Sequence, residues 1–208
     1  MKNFLNYLGQ LRLYSLADLI LLLAVSGARQ SELFGAVLLH VGFLAYLESR
    51  HGHSYRKSIV PYLWIVLGIA GILLYGHIIA AILFAGASYA YTLKTKKSFG
   101  IYSPFIRGMQ YLFLIGGIAG FTAALPWIAF PLIVVRNLAG DFRDIEKDKN
   151  ESMRTMPIAL GFKKNIPHIH LISTLITSCI WWSFGSISVA YLLIVLLIEI
   201  ATYDLTPR

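Results

Sequence analysis

Eight apolar runs of helical length divide this chain, and almost every charge lies in the connections between them. The runs cover about 13–28, 31–47, 59–75, 77–93, 108–124, 126–139, 166–184 and 186–203. They are too long for ordinary strands, and one soluble core could not cover so much apolar surface. Several fall short of the roughly 20 residues of a simple span, yet together they describe a membrane bundle better than anything else. Of the 208 residues 57% are hydrophobic and only 13% charged, where a soluble domain carries about 25% charged residues. The expected fold is therefore all-α and integral to a membrane, one transmembrane domain over 1–208 with about eight spanning helices. Leu125-Pro126-Trp127 is the only break between the fifth and sixth runs, which read as a tight hairpin or as one kinked helix.

The basic residues orient such a bundle. With eight spans and the N-terminus inside, seventeen of the eighteen Lys and Arg residues fall on the inner side, leaving only Arg29 outside. Both termini and the polar connections 48–58, 94–107 and 140–165 then face the cytoplasm. Seven spans would put 140–165 on the side opposite Lys94–Arg107. The net charge of +8 thus gathers around three loops on one face, suited to an anionic substrate or anionic lipid headgroups. Nucleic acid is a poor partner, because no soluble domain is present to dock it. A single cysteine, Cys179, excludes an intramolecular disulfide and argues against a cysteine-based metal site. Met1–Gln10 carries no cleavable signal pattern.

The densest charge cluster runs from Arg136 to Lys149, and four of the chain's ten carboxylates lie between Asp141 and Asp148. On a continuous helix Asn137, Asp141, Asp144 and Asp148 fall within an arc of roughly 60°. Arg136, Arg143 and Lys147 share a flanking face roughly 100° away. Stacked like charges destabilise an isolated helix, so something positive must offset them. Hard oxygen ligands suit Mg²⁺, which takes one or two carboxylates and bridges to substrate phosphates. The neighbouring cations suit phosphate oxygens.

Other polar residues stand out against the apolar background. Asp18 lies within the first run, where a carboxylate is a functional candidate by default and Arg12 and Tyr14 are close enough in sequence to pair with it. His40 and Glu48 share one face at the end of the second run, followed by Arg50, His51 and His53; nothing completes a zinc site with them. Tyr91 and Lys94 end the fourth run, and Lys94 can reach a headgroup or a diphosphate or snorkel at the boundary. Tyr102-Ser103-Pro104, with Arg107 one turn on, is a helix-start signal. Gly116, Gly117 and Gly120 mark close helix packing.

The run Asp141-Phe142-Arg143-Asp144-Ile145-Glu146-Lys147-Asp148, followed by Arg154-Thr155-Met156-Pro157-Ile158-Ala159-Leu160-Gly161, resembles the second aspartate motif of the UbiA-type membrane prenyltransferases. The closest flavour is the branch that prenylates naphthoate-type quinone precursors or archaeal glycerol lipids. Tyr91-Thr92-Leu93-Lys94 and Tyr102-Ser103-Pro104 resemble two further elements in the same order, so the similarity runs from about 88 to 164.

The resemblance implies a helical bundle around a central cavity open toward lipid. It implies transfer of an isoprenyl group from a polyprenyl diphosphate to a hydrophobic acceptor, either an aromatic quinone precursor or a glycerol lipid, with Mg²⁺ as cofactor. Carried over residue by residue, Asp144, Asp148, Lys94 and Arg143 are the catalytic candidates. Asp144, Asp148 and Asp141 are the metal ligands, and Asn137, Asp141, Tyr91, Tyr102, Ser103, Arg154 and Glu48 are substrate contacts.

Two departures from the family pattern qualify this. The first family motif, Asn-x-x-x-Asp-x-x-x-Asp, corresponds here to His40, Leu44 and Glu48, so only Glu48 could ligate. The family usually has nine spans in a longer chain. The competing expectation is a non-catalytic membrane protein that binds an isoprenoid or lipid. CDP-alcohol phosphotransferases need Asp-Gly and a downstream Ala-Arg, whereas this chain has Gly140-Asp141 in reverse order and no Ala-Arg after it. A transporter would rest on Asp18 alone.

Overall fold

A computed structural model describes residues 12–50, 62–95, 99–185 and 187–203. The expectations placed on His51, His53, Arg56, Lys57, Lys96, Lys97 and the two termini lie outside the described residues. Of the described residues 82% are helical, and there is no strand among them. Eight principal helices follow the eight apolar runs: α1 (Leu13–Val25), α2 (Gln30–Arg50), α3 (Leu63–Tyr75), α4 (Ile78–Thr92), α5 (Ser103–Ala119), α6 (Ala124–Arg143), α9 (Ile169–Ser183) and α10 (Val189–Tyr203). Two short helices, α7 (Ile145–Asn150) and α8 (Met156–Ala159), lie between α6 and α9. Tight 3-10 turns at Leu93–Thr95 and Phe99–Tyr102 flank the α4–α5 connection.

Two of these helices, over Gln30–Ser49 and Ala124–Arg143, are long and apolar enough to cross a membrane. The other six principal helices have 13 to 17 residues. The described residues are therefore all-helical, with two helices of full spanning length among them where the hydropathy pattern suggests eight spans.

The chain packs as two compact units. One comprises residues up to Ala81 together with Ser178–Pro207. Within it α2 and α3 pack through small residues. A Cβ on Gly35 would run into the backbone of Tyr75, and one on Gly71 would lie 2.9 Å from the Leu39 nitrogen. Such close backbone approach is what small residues make possible between apolar helices. α1 lies against α10, with the rings of Tyr14 and Tyr203 edge-on at 5.8 Å between centroids.

The second unit, Ile82–Thr177, carries the densest charge cluster. Here α5 and α6 form a helical hairpin, and a Cβ on Gly108 would lie 2.8 Å from the Phe130 carbonyl oxygen. Of the two alternatives for the fifth and sixth runs, the hairpin is correct, but its break is not at Leu125-Pro126-Trp127. α5 stops at Gly120, whose φ of +85° no other residue type adopts readily, and α6 starts after the extended Ala123. Pro126 sits in the first turn of α6, where no intrahelical acceptor is lost. The indole of Trp127 donates to the Phe121 carbonyl at 2.8 Å and closes the turn. Gly116 packs under the Phe121 ring, which accounts for one of the three glycines marked for close packing.

Candidate functional site

The acidic stretch does not form one helix. α6 ends at Arg143, Asp144 departs from helical geometry (φ −104°, ψ 16°), and α7 begins at Ile145. The offset is small, because the Asp144 amide still reaches the Gly140 carbonyl at 3.1 Å and the Asp148 amide the Asp144 carbonyl at 2.8 Å. By their partners the carboxylates form two groups rather than one stripe.

Asp141 and Asp148 face a common cation. Lys94, in the 3-10 turn after α4, donates to Asp141 at 2.7 Å and lies 3.7 Å from Asp148. Both carboxylates are almost completely buried, at 3% and 2% exposure. Ser103, the first residue of α5, has its hydroxyl 2.8 Å from the Gly100 carbonyl and 3.2 Å from the second Asp141 oxygen. Burial pushes the Lys94 ammonium toward its neutral form, but the charges of Asp141 and Asp148 and the hydrogen bond to Asp141 outweigh that and hold its pKa above the ordinary lysine value. Burial pushes the Asp148 carboxyl up to about 6; Lys94 opposes this, while the like charges of Asp141 and Asp144 add to it.

Asp144 belongs to the second group. Arg143 grips both its oxygens, with Nε 2.7 Å from Oδ1. Burial works against the Asp144 charge, but the Arg143 contacts outweigh it, and its pKa lies below the usual carboxylate value. Arg143 also approaches His170 Nδ1 at 3.4 Å. On the preceding turns, Arg136 donates through Nε to the Thr174 hydroxyl at 3.1 Å.

The segment after α7 folds back onto this cluster. The Met153 amide donates to the Asp148 carbonyl at 2.8 Å. A Cβ at Gly100 would lie 2.5 Å from the Arg154 carbonyl oxygen, so the bare glycine lets the two backbones touch. Further along, the Ile166 amide bonds the Phe142 carbonyl at 3.0 Å, and Asn165 caps the Glu146 amide at 2.8 Å.

Lys94, Asp141, Asp148 and Ser103 thus meet directly, and Arg143 and Asp144 pair beside them in sequence. Tyr91 is buried at the end of α4, and Asn137 lies one turn before Asp141 with its amide oxygen buried and without a hydrogen-bond partner. Tyr102 is 58% exposed, and the Arg154 side chain is also exposed. Glu48 belongs to the other unit, where Arg12 approaches it at 3.4 Å. Sequence reasoning did not single out His170 and Thr174, or the buried relay in which Arg107 donates to Gln110 at 2.6 Å and Gln110 to Ser88 at 2.8 Å. Gln110 inside an apolar run was the readable signal for the last of these.

Among the described residues no three His, Cys, Asp or Glu side chains converge closely enough to hold a metal by themselves. The donor set instead suits a hard cation that takes one or two carboxylates and completes its shell from water and substrate phosphate. One oxygen of Asp148 and the Asn137 oxygen are buried without a hydrogen-bond donor, which fits that use.

Comparison with known proteins found one curated relative. Over 117 residues the chain is 30% identical to the digeranylgeranylglyceryl phosphate synthase of Methanosphaera stadtmanae. The match covers 54% of this chain and 43% of that protein, so the chain spans less than half the length of the relative. No family model matches, and no solved structure matches.

Proposed function

We propose that this chain is a single-domain membrane prenyltransferase of the UbiA type that moves an isoprenyl group from a polyprenyl diphosphate onto a glycerol-lipid acceptor. The observation that carries this reading is the buried junction of Lys94 with Asp141 and Asp148, beside the Arg143–Asp144 pair. The partial identity to a digeranylgeranylglyceryl phosphate synthase favours a glycerol lipid over an aromatic acceptor. In the reaction the bond between the allylic carbon and the diphosphate oxygen breaks, and an acceptor hydroxyl oxygen bonds to that carbon and loses its proton. Lys94 and Arg143 carry charge toward the departing diphosphate. Asp148, Asp144 and Asp141 would hold Mg²⁺ one or two at a time, with water and diphosphate oxygens completing its shell, and the ion would supply Lewis-acid neutralisation of the diphosphate. The bundle lies in the membrane with its charged connections on the cytoplasmic side, in keeping with the distribution of Lys and Arg.

A second reading has specific support. Leu44 is buried at the position where the family pattern asks for an aspartate, and Glu48 is engaged by Arg12. Both favour a descendant that binds the isoprenoid diphosphate without turning it over. Purified protein given geranylgeranyl diphosphate, a glycerol-lipid acceptor and Mg²⁺ distinguishes the two. Transfer is expected to release diphosphate, to stop with EDTA, and to be lost in Asp144→Asn. Binding without release across aromatic and glycerol acceptors supports the second reading, and absence of binding removes both.

A further inference from the structure

Thr155 is fully buried, and its hydroxyl has no hydrogen-bond partner. It occupies the N-cap position of α8, where a threonine ordinarily turns its oxygen back onto the helix amides. Here it makes no such bond, and the residue two positions on is Pro157, which has no amide hydrogen to offer. An isolated buried hydroxyl is costly in a ligand-free protein, so one that persists calls for a use.

Its position supplies one. The chain through Met153, Arg154 and Thr155 runs between two parts of the charged site. On one side the Met153 amide bonds the carbonyl of Asp148 at 2.8 Å. On the other the backbone of Arg154 and Thr155 lies against Gly100, and a Cβ there would be 3.3 Å from the Thr155 nitrogen. The Gly100 carbonyl is in turn within 2.8 Å of the Ser103 hydroxyl, which reaches Asp141. The backbone that carries Thr155 is therefore tied on one side to α7 at the Asp148 carbonyl and lies on the other against Gly100, whose carbonyl meets Ser103.

We infer that the Thr155 hydroxyl is a further binding residue of this site, donating its hydrogen bond to a phosphate oxygen of a diphosphate bound with Mg²⁺ beside Asp148 and Lys94. This deepens the function proposed above and rests on it. The site's own side chains supply cations and metal-binding carboxylates, whereas a neutral hydroxyl adds a directed donor without adding charge.

Binding of Mg²⁺ with inorganic pyrophosphate to the full chain in detergent, measured by calorimetry, tests this directly against Thr155→Val and Thr155→Ser. Valine keeps the shape and removes the hydroxyl; serine keeps the hydroxyl. Thr155→Val is expected to weaken binding about tenfold or more, the usual scale for a hydrogen bond to a charged group, while Thr155→Ser stays near the parent. The thermal midpoint of the ligand-free Thr155→Val protein is expected to be unchanged or higher, because an unsatisfied buried hydroxyl has been removed. That combination separates a ligand contact from a structural one. Equal binding by the parent and Thr155→Val overturns the inference and leaves the proposed function standing. Failure of the parent chain to bind overturns both.

Discussion

Lys94 illustrates both what a sequence shows and what it hides. Its place at the end of an apolar run marks a boundary cation, and Asp141 and Asp148 stand out by their spacing. That the cation facing Asp141 and Asp148 is Lys94, while Asp144 pairs with Arg143, is a matter of tertiary contact that helical periodicity alone does not report. The outcome has a pH signature. The Asp148 carboxyl titrates near 6 in the folded chain against an ordinary value of 3.8, chiefly because it is buried. The native state thus holds this proton more tightly than the unfolded state. Its contribution to stability is complete below the ordinary value and is lost as pH rises through about 6. Asp148→Asn stays neutral throughout, and Lys94 keeps its 2.7 Å contact to Asp141. In the absence of Mg²⁺ the variant should be more stable than the parent near pH 8 by up to ~2 kcal/mol, with the gain falling as the pH drops below about 6 and gone below the ordinary value of 3.8. Thermal unfolding at several pH values checks this, and a destabilisation independent of pH would contradict it.

The helices themselves were the most readable level. Each of the eight apolar runs corresponds to a helix, the length of the runs being that of helices rather than of strands. Pro126 reads as a breaker in sequence and so marks the hairpin turn too late, whereas proline is accepted in a first helical turn. The true break is Gly120, and its left-handed backbone leaves no mark that distinguishes it from the helical Gly116 and Gly117 nearby. Glycines of the α2–α3 pair pose the same ambiguity, and the structure resolves it. Gly35 lies against the Tyr75 backbone, whereas a Cβ at Gly68 meets nothing within 4 Å. Gly35→Ala should therefore destabilise by about 1–3 kcal/mol, since backbone cannot move aside as a side chain can. Gly68→Ala should be neutral or stabilising by up to ~1 kcal/mol through helix propensity. Parallel thermal unfolding of the two variants tests the assignment, and equal effects would show that the α2–α3 contact is not as close as described.

At the scale of the whole molecule, apolar surface remains in excess after folding. α3 leaves Val66, Ile69 and Leu73 at 63%, 57% and 76% exposure, and α10 leaves Leu193, Ile194 and Leu197 at 54%, 56% and 66%. Soluble monomers rarely present whole helix faces of this kind. Against lipid the same faces would carry no penalty, and helices of 13 to 17 residues would call for local thinning of the bilayer. Hydropathy made this excess legible, but not which face of each helix packs inward, since a wholly apolar helix has no polar side to mark the outside. α9 offers a direct test. Ile172 and Ile176 are exposed at 56% and 55%, and the exposed Cys179 continues their face. If that face meets lipid, the only thiol in the chain should resist a charged, membrane-impermeant maleimide in intact vesicles. It should react with an uncharged, lipid-soluble maleimide in the same vesicles, and with both reagents once the bilayer is dissolved and the protein unfolded. Rapid labelling by the charged reagent in those vesicles, or once they are opened without detergent, would instead place this face in water, and the exposed rows of α3 and α10 would then require a protein partner rather than lipid to cover them.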